Sequence, residues 1–189
     1  MSFLLFLFFF LNLALALIIG VFPIYAQHKF GWSETQNGYY FGLIGLGSLL
    51  SQTFLIRMLI KKFDESQMII GGLAVFGISV ILVGLAPTGF LLLMIGPFTS
   101  IGFSLLNVNT QSLISLESKP EEQGIVMGVA QSFSSLGRVF GPLLGGTIAT
   151  FNLSTPYVIS GTLAITILFF GQKYLRFMGN ERRQRLRAL

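Results

Sequence analysis

The sequence has no cysteine, one histidine and one aspartate, and only 10% of its residues are charged. Without cysteine there is neither a disulfide framework nor a thiolate ligand for a metal, and the redox compartment stays open. His28 and Asp64 both fall outside the long apolar stretches. An intramembrane protease needs an embedded His or Lys as base, and a metal-dependent phosphatidyltransferase needs clustered aspartates. Acid–base chemistry therefore lacks its groups. No catalytic residue, metal site or cofactor is expected, and the chain is not expected to be an enzyme. No Gly-x-x-x-x-Gly-Lys-Ser/Thr loop occurs, so ATP is not bound by this chain in the usual way. A charged fraction this low lies far below the soluble average of roughly a quarter.

What fills the sequence is apolar. Residues 3–26, 37–60, 67–86, 89–115, 123–150 and 155–175 form six long stretches. Each reaches the about 20 residues that a helix needs to cross a bilayer. In hydrocarbon the backbone must satisfy its own hydrogen bonds, so helices are required. The expectation is an all-α membrane protein of six transmembrane helices. Residues 1–178 would be the membrane domain and 179–189 a basic cytoplasmic tail.

The pI of 9.8 could suggest a nucleic-acid partner, but the basic residues cluster at span ends instead. Of the 12 Lys and Arg, all but Lys29 and Arg138 lie on one side of the spans, among them Arg57, Lys61, Lys62, Lys119, Lys173 and Arg176. The positive-inside rule places that side, and both termini, in the cytoplasm. Residues 1–19 lack a basic leader and their apolar run continues to Ala26, so a span is expected there and not a signal peptide. Arg182, Arg183, Arg185 and Arg187 would let the tail touch anionic lipid.

Departures from the apolar pattern carry the functional information. Span two opens with Ser33-Glu34-Thr35-Gln36-Asn37-Gly38, and span five with Lys119-Pro120-Glu121-Glu122-Gln123-Gly124; Gly42 and Gly128 follow. Ser33 and Gln36 have capping-box spacing. A match between spans two and five implies a 3+3 inverted repeat, a feature of secondary transporters. At helical spacing, Ser100, Ser104, Asn107 and Gln111 share a face of span four, and Gln131, Ser135 and Arg138 a face of span five. Ser48 and Gln52 in span two and Asn12 in span one complete a set of candidate substrate-cavity residues. Any one of these could serve only helix–helix hydrogen bonding. Arg138 stands apart, because a charge near mid-bilayer costs from about 2.5 to over 10 kcal/mol and must face protein or water. No Asp or Glu lies within any span to pair with it. Gly137, Gly141, Pro142, Gly145 and Gly146 then suit close helix packing beside a bend, and with it gating.

These residues resemble the major facilitator superfamily, specifically its C-terminal six-helix half. Phe30-Gly31-Trp32-Ser33 with Gly38, Gly45 and Ser51-Gln52 is similar to the junction of that half's first two helices. Gly137-x-x-x-Gly141-Pro142-x-x-Gly145-Gly146 resembles the family's glycine–proline antiporter motif. The loop from Arg57 to Gln67 stands where the family has a weaker copy of its basic loop motif. Here Arg57 replaces a glycine, Lys61 the acid and Asp64 a second glycine. The resemblance implies half of a major facilitator fold and secondary active transport of a small organic molecule, drug:proton antiporter-like. It implies a lipid bilayer, a small-molecule substrate, and a second six-helix half or second copy as partners. The bacterial cytoplasmic membrane is the expected location. Two other readings are a substrate-binding membrane component of an ATP-driven vitamin importer and a non-transporting structural remnant.

The topology is directly testable. In this cysteine-free chain, Thr88→Cys and Gly179→Cys should label from opposite sides of the membrane with an impermeant thiol reagent. Labelling from the same side would refute the assignment.

Overall fold

The computed structural model describes residues 1–187, with side-chain surroundings through Asn180. Its regular elements are helical throughout the described residues: α1 (Ser2–Ile19), α2 (Phe22–Phe30), α3 (Glu34–Leu50), a π-helical turn (Ser51–Leu55), α4 (Ile56–Leu59), α5 (Glu65–Leu85), α6 (Gly89–Leu116), α7 (Gln123–Ala149) and α8 (Thr155–Arg187). Span one of the sequence is α1 plus α2, and span two is α3, the π turn and α4. The side chains of Arg182, Arg183, Arg185 and Arg187, and any lipid contact of theirs, lie outside the described residues.

Local chemistry explains the ends and interruptions. Ser33 and Gln36 form the capping box that their spacing predicts, with the Ser33 N–H donating to Gln36 Oε1 at 2.8 Å. A second capping box starts α5, where Asp64 Oδ1 accepts the Gln67 N–H at 2.9 Å. The loop motif position held by Asp64 is thus a helix cap. α7 begins without a side-chain cap, so the likeness between the starts of spans two and five does not extend to capping. α2 ends at Gly31, whose φ of 69° lies in the left-handed region that glycine enters without steric cost. Between α1 and α2, Pro23 has no N–H to give to the Ile19 carbonyl, and the helix breaks at Gly20–Val21.

α3, α6, α1 and α7 stand in a row, α6 touching α3 and α1, and α1 touching α7; α5 and α8 back this row. α5 packs between α6 and α8 and buries 12 of its 21 residues, with Ile69, Leu73, Phe76 and Val80 fully enclosed. The uninterrupted apolar pattern of span three is thus that of a buried helix. α8 is tied to α1 by the Ser160 hydroxyl, which donates to the Ala14 carbonyl at 2.6 Å. At one end of the bundle, Tyr25 and Lys29 of α2 hold the last turn of α5. The Tyr25 hydroxyl donates to the Val83 carbonyl at 2.7 Å and Lys29 Nζ to the Gly84 carbonyl at 3.1 Å. These are carbonyls that a helix end leaves without intrahelical donors. Lys29, the one basic residue among the loops after spans one, three and five, thus has a structural task.

Five spans, Ser2–Phe30, Glu34–Leu59, Glu65–Leu85, Gly89–Leu116 and Thr155–Asn180, are long and apolar enough to cross a membrane among the described residues. α7 has the length, 27 residues, but its glycines and its Gln131, Ser132, Ser134, Ser135 and Arg138 dilute the apolar content. Only Ala130, Ser134, Gly137, Gly141 and Gly145 of α7 are buried. Their spacing of three and four residues puts them on a single face, and that face meets α1.

The contact is backbone to backbone. A Cβ added at Gly137 would stand 2.7 Å from the Phe9 carbonyl oxygen and 2.8 Å from the Leu13 nitrogen. Neither atom can move without shifting α1. At Gly146 the same addition meets nothing within 4 Å, so this glycine takes no part in the seam. Gly137→Ala should therefore destabilise the purified chain by about 1–3 kcal/mol, the usual cost of overpacking. Gly146→Ala should be neutral or stabilising by up to about 1 kcal/mol through helix propensity. Equilibrium unfolding in detergent measures both, and equal effects would contradict the seam.

Candidate functional site

The row α3–α6–α1–α7, together with the π turn that continues α3, holds all ten candidate cavity residues, and burial divides them. Asn12, Ser100 and Ser104 are buried; Ser48, Asn107 and Gln111 are half-buried; Gln52, Gln131, Ser135 and Arg138 are exposed. The fold brings some of them together. Ser48 and Ser104 hydroxyls lie 2.9 Å apart, joining α3 to α6, and Gln52 Nε2 donates to Ser48 Oγ at 3.0 Å. Gln111 Nε2 donates to Asn107 Oδ1 at 2.6 Å along α6. Ser100 instead turns back on its own helix and donates to the Pro97 carbonyl at 2.8 Å. Gln131 and Ser135 share an open hollow on α7 with Gly128, Ser132, Leu136 and Val139, and no hydrogen bond joins them to the other candidates among the described residues.

Arg138 is the chemical centre of the α1–α7 edge. Its Nε donates to Asn12 Oδ1 at 3.3 Å, while Asn12 Nδ2 donates to the Phe8 carbonyl at 2.8 Å. The backbone carbonyl thus fixes which end of the Asn12 amide meets the guanidinium. Asn12 is neutral, and no carboxylate pairs with Arg138 among the described residues. A cavity of about 400 Å³ opens beside the pair, between α1, α6 and α7, and reaches Phe103 and Pro142. An exposed guanidinium with uncommitted charge in such a hollow can bind a carboxylate or phosphate by charge-assisted hydrogen bonds.

Sequence reasoning missed a second cavity, of about 270 Å³, lined by residues of α1, α2, α3, α5, α6 and α8. Tyr40, Phe41, Thr99 and Tyr157 line it, together with aliphatic residues and Ser48 and Ser100. Apolar and aromatic lining residues do not interrupt an apolar pattern and so leave no signal there. The one available clue was hydroxyl-bearing rings, Tyr40 and Tyr157, inside otherwise apolar spans.

The model of the Major Facilitator Superfamily matches residues 4–186. The chain belongs to that superfamily. It is accordingly an integral, multi-pass membrane protein, and its helices form half of a major facilitator fold. Multidrug resistance protein 2 of Bacillus subtilis (strain 168) is 29% identical over 77% of this chain and 36% of its own length. The class C tetracycline resistance protein of Escherichia coli is 26% identical over 78% of this chain and 37% of its own length. The proton-coupled antiporter flippase LtaA of Staphylococcus haemolyticus (strain JCSC1435) is 22% identical over 90% of this chain and 44% of its own length. The chain thus spans less than half the length of each of these major facilitator relatives.

The polar face of α7 makes a sharp local contrast, because Ser134 is fully buried against α1 and Ser135 is exposed. In native membranes, Ser135→Cys should react with a small hydrophilic thiosulfonate at least an order of magnitude faster than Ser134→Cys. A silent Ser135→Cys would mean that this face lies in lipid.

Proposed function

We propose that this chain is one wall of a secondary active transporter for small organic molecules, drug:proton antiporter-like, whose cargo passes along the α3–α6–α1–α7 row. The supporting observation is that the two end helices of the row leave most of their surface uncovered among the described residues. α3 buries only Asn37 and Tyr40 of its 17 residues, and α7 only five of 27. Gly38, Gly42 and Gly45 on α3, and Gly124 and Gly128 on α7, have nothing within 4 Å of where a Cβ would stand. Small-residue stripes let membrane helices approach closely, and among the described residues no helix approaches these stripes. Gln131, Ser135 and Arg138 are exposed on α7, and Gln52 is exposed in the π turn that continues α3. Polar groups on that surface are expensive in hydrocarbon and useful against water.

A second six-helix bundle, either another half or another copy of this chain, would convert the row into a path with its site near the midplane. The names of the relatives, two of them resistance proteins and one a proton-coupled antiporter, support transport over the vitamin-importer component and the structural remnant. Amphipathic drugs or metabolites suit a lining this rich in aromatics, and Arg138 would hold an anionic group of the cargo. Because no Asp or Glu falls within the spans, the proton-coupling carboxylate would belong to the partner. Gly137, Gly141, Gly145 and Pro142 would let α7 rock as one body with α1. The 3+3 inverted repeat, cytoplasmic termini, the bacterial cytoplasmic membrane and a lipid-touching tail complete the reading.

Single cysteines at Gln52 and Gln131, treated with a bifunctional reagent in native membranes, should cross-link the chain to a six-helix partner. In the assembled transporter, Arg138→Ala should raise KM for an anionic cargo by about tenfold to a hundredfold, the loss of one charged hydrogen bond. Neutral cargo should be little affected. A transport-competent monomer that forms no cross-link would overturn the proposal.

A further inference from the structure

A groove of about 450 Å³ between the start of α5 and the end of α8 takes no part in the row. It lies where the spans Glu65–Leu85 and Thr155–Asn180 begin and end, so it opens at the edge of the hydrocarbon. Phe63, Ile70 and Gly71 give it an apolar wall, and Gln67, Arg176 and Asn180 a polar one. Gly71 keeps the groove open, since a Cβ there would have nothing within 4 Å. Gly179 brings α8 close to the start of α5, where its own Cβ would stand 3.2 Å from Asp64 Oδ2.

The two charges that line the groove differ in how they are used. Asp64 Oδ1 accepts the Gln67 N–H at 2.9 Å and so caps α5. Arg176 is exposed and forms no ion pair or hydrogen bond among the described residues. Lys61, Lys62 and Lys173 lie within three residues of the lining in the sequence. With Arg176 they set four cations against the acids Asp64 and Glu65.

We propose that this groove holds one anionic phospholipid, with its phosphate on Arg176 and an acyl chain against Ile70 and Gly71. The planar fork of a guanidinium matches two phosphate oxygens at once. A zwitterionic headgroup carries its own cation, which competes with the guanidinium and is repelled by the lysines. A small soluble anion would satisfy Arg176 but leave the apolar wall bare. Asp64 is the group that would favour an amine-bearing headgroup, and it is already engaged at the cap. The site uses neither the row nor residues 181–189, so it does not rest on the transport reading.

The full chain, purified in a non-ionic detergent, can be titrated with phosphatidylglycerol, phosphatidylethanolamine and phosphatidylcholine of the same acyl composition. Native mass spectrometry then reads the affinity for the first bound lipid. Phosphatidylglycerol should bind about fivefold more tightly than the other two, the worth of one basic contact at a lipid surface. Arg176→Gln should abolish that preference. Lys119→Gln removes the same charge from the α6–α7 connection at the same end of the bundle, and should preserve it. Gly71→Leu fills the groove and leaves every charge in place, and should weaken phosphatidylglycerol by a similar factor. An excess of inorganic phosphate should not displace the lipid. Equal affinities for the three lipids overturn the proposal, as does phosphatidylethanolamine bound as tightly as phosphatidylglycerol. Lys119→Gln as costly as Arg176→Gln would mean diffuse attraction with no site. Unchanged binding in Gly71→Leu would place the lipid elsewhere, and displacement by phosphate would make the occupant a free anion; either result also overturns it.

Discussion

The backbone seam between α1 and α7 is the constraint from which the rest of the site follows. Gly137, Gly141 and Gly145 meet Phe9, Leu13, Ala16 and Leu17 with no room for a side chain between the helices. Successive residues on a helix are separated by about 100°, so placing Gly137 in the seam puts Arg138 on its edge. From that edge the guanidinium reaches across to Asn12. Pro142 follows Gly141 by the same offset, one turn above Arg138, and rests against Gly20 of the broken first span. Arg138 and Pro142 therefore line the same hollow as a consequence of where the glycines are. A bulky residue in the seam would separate the helices and dissolve the hydrogen bond to Asn12 together with the hollow.

The interruptions of the helices are distributed unevenly, and the distribution matches the division between row and backing. Pro23 follows the break between α1 and α2, the π turn Ser51–Leu55 interrupts the second span, and Pro97 and Pro142 lie inside α6 and α7. All four features belong to row helices. α5 contains no proline, and the proline of α8, Pro156, sits in its first turn, where a missing N–H costs nothing. Bends and π turns are the recognised sources of helix curvature, and each frees a backbone group that must find another partner. In α6 the carbonyl that Pro97 leaves without its donor is that of Leu93, four residues earlier. The interruptions are thus confined to the row, and the backing helices run without them.

Much of this was legible in the sequence, because lipid permits few solutions to the backbone hydrogen-bond problem. The spans, the Ser33–Gln36 cap and the significance of the glycine ladder follow from residue type and spacing alone. The break at Gly20–Val21 went unread although Pro23 signals it, and the π turn has no such signal in the residues Ser51–Leu55. The stripe on span four read as one face, yet its members divide between a bond across to α3, a bond back to Pro97 and a pair along α6. Helical periodicity tells which residues share a side and not which of them a neighbour will cover. The apolar cavity was invisible for a related reason: its walls come from six different helices, and nothing in any one of them departs from a buried pattern.

The unbalanced charge of Arg138 decides how selective such a row can be. Asn12 orients the guanidinium but removes none of its charge, so the α1–α7 hollow carries a positive potential that only something beyond these spans can offset. If an opposing bundle places a carboxylate there, Arg138 becomes half of an ion pair, and an anionic cargo must first displace that carboxylate. Protonation of the carboxylate would then release Arg138 for an anionic cargo, so proton and cargo would bind together, a linkage of the symport kind and opposite in sign to the competition an antiporter needs. If the opposing wall is neutral, the charge is available at all times and repels cationic cargo from the hollow. The two arrangements differ in their pH dependence: affinity for anions rises with acidity in the first and is flat in the second. In the proposed transporter this single arginine would thus either link cargo binding to protons or filter cargo by charge, and the choice belongs to the wall it faces.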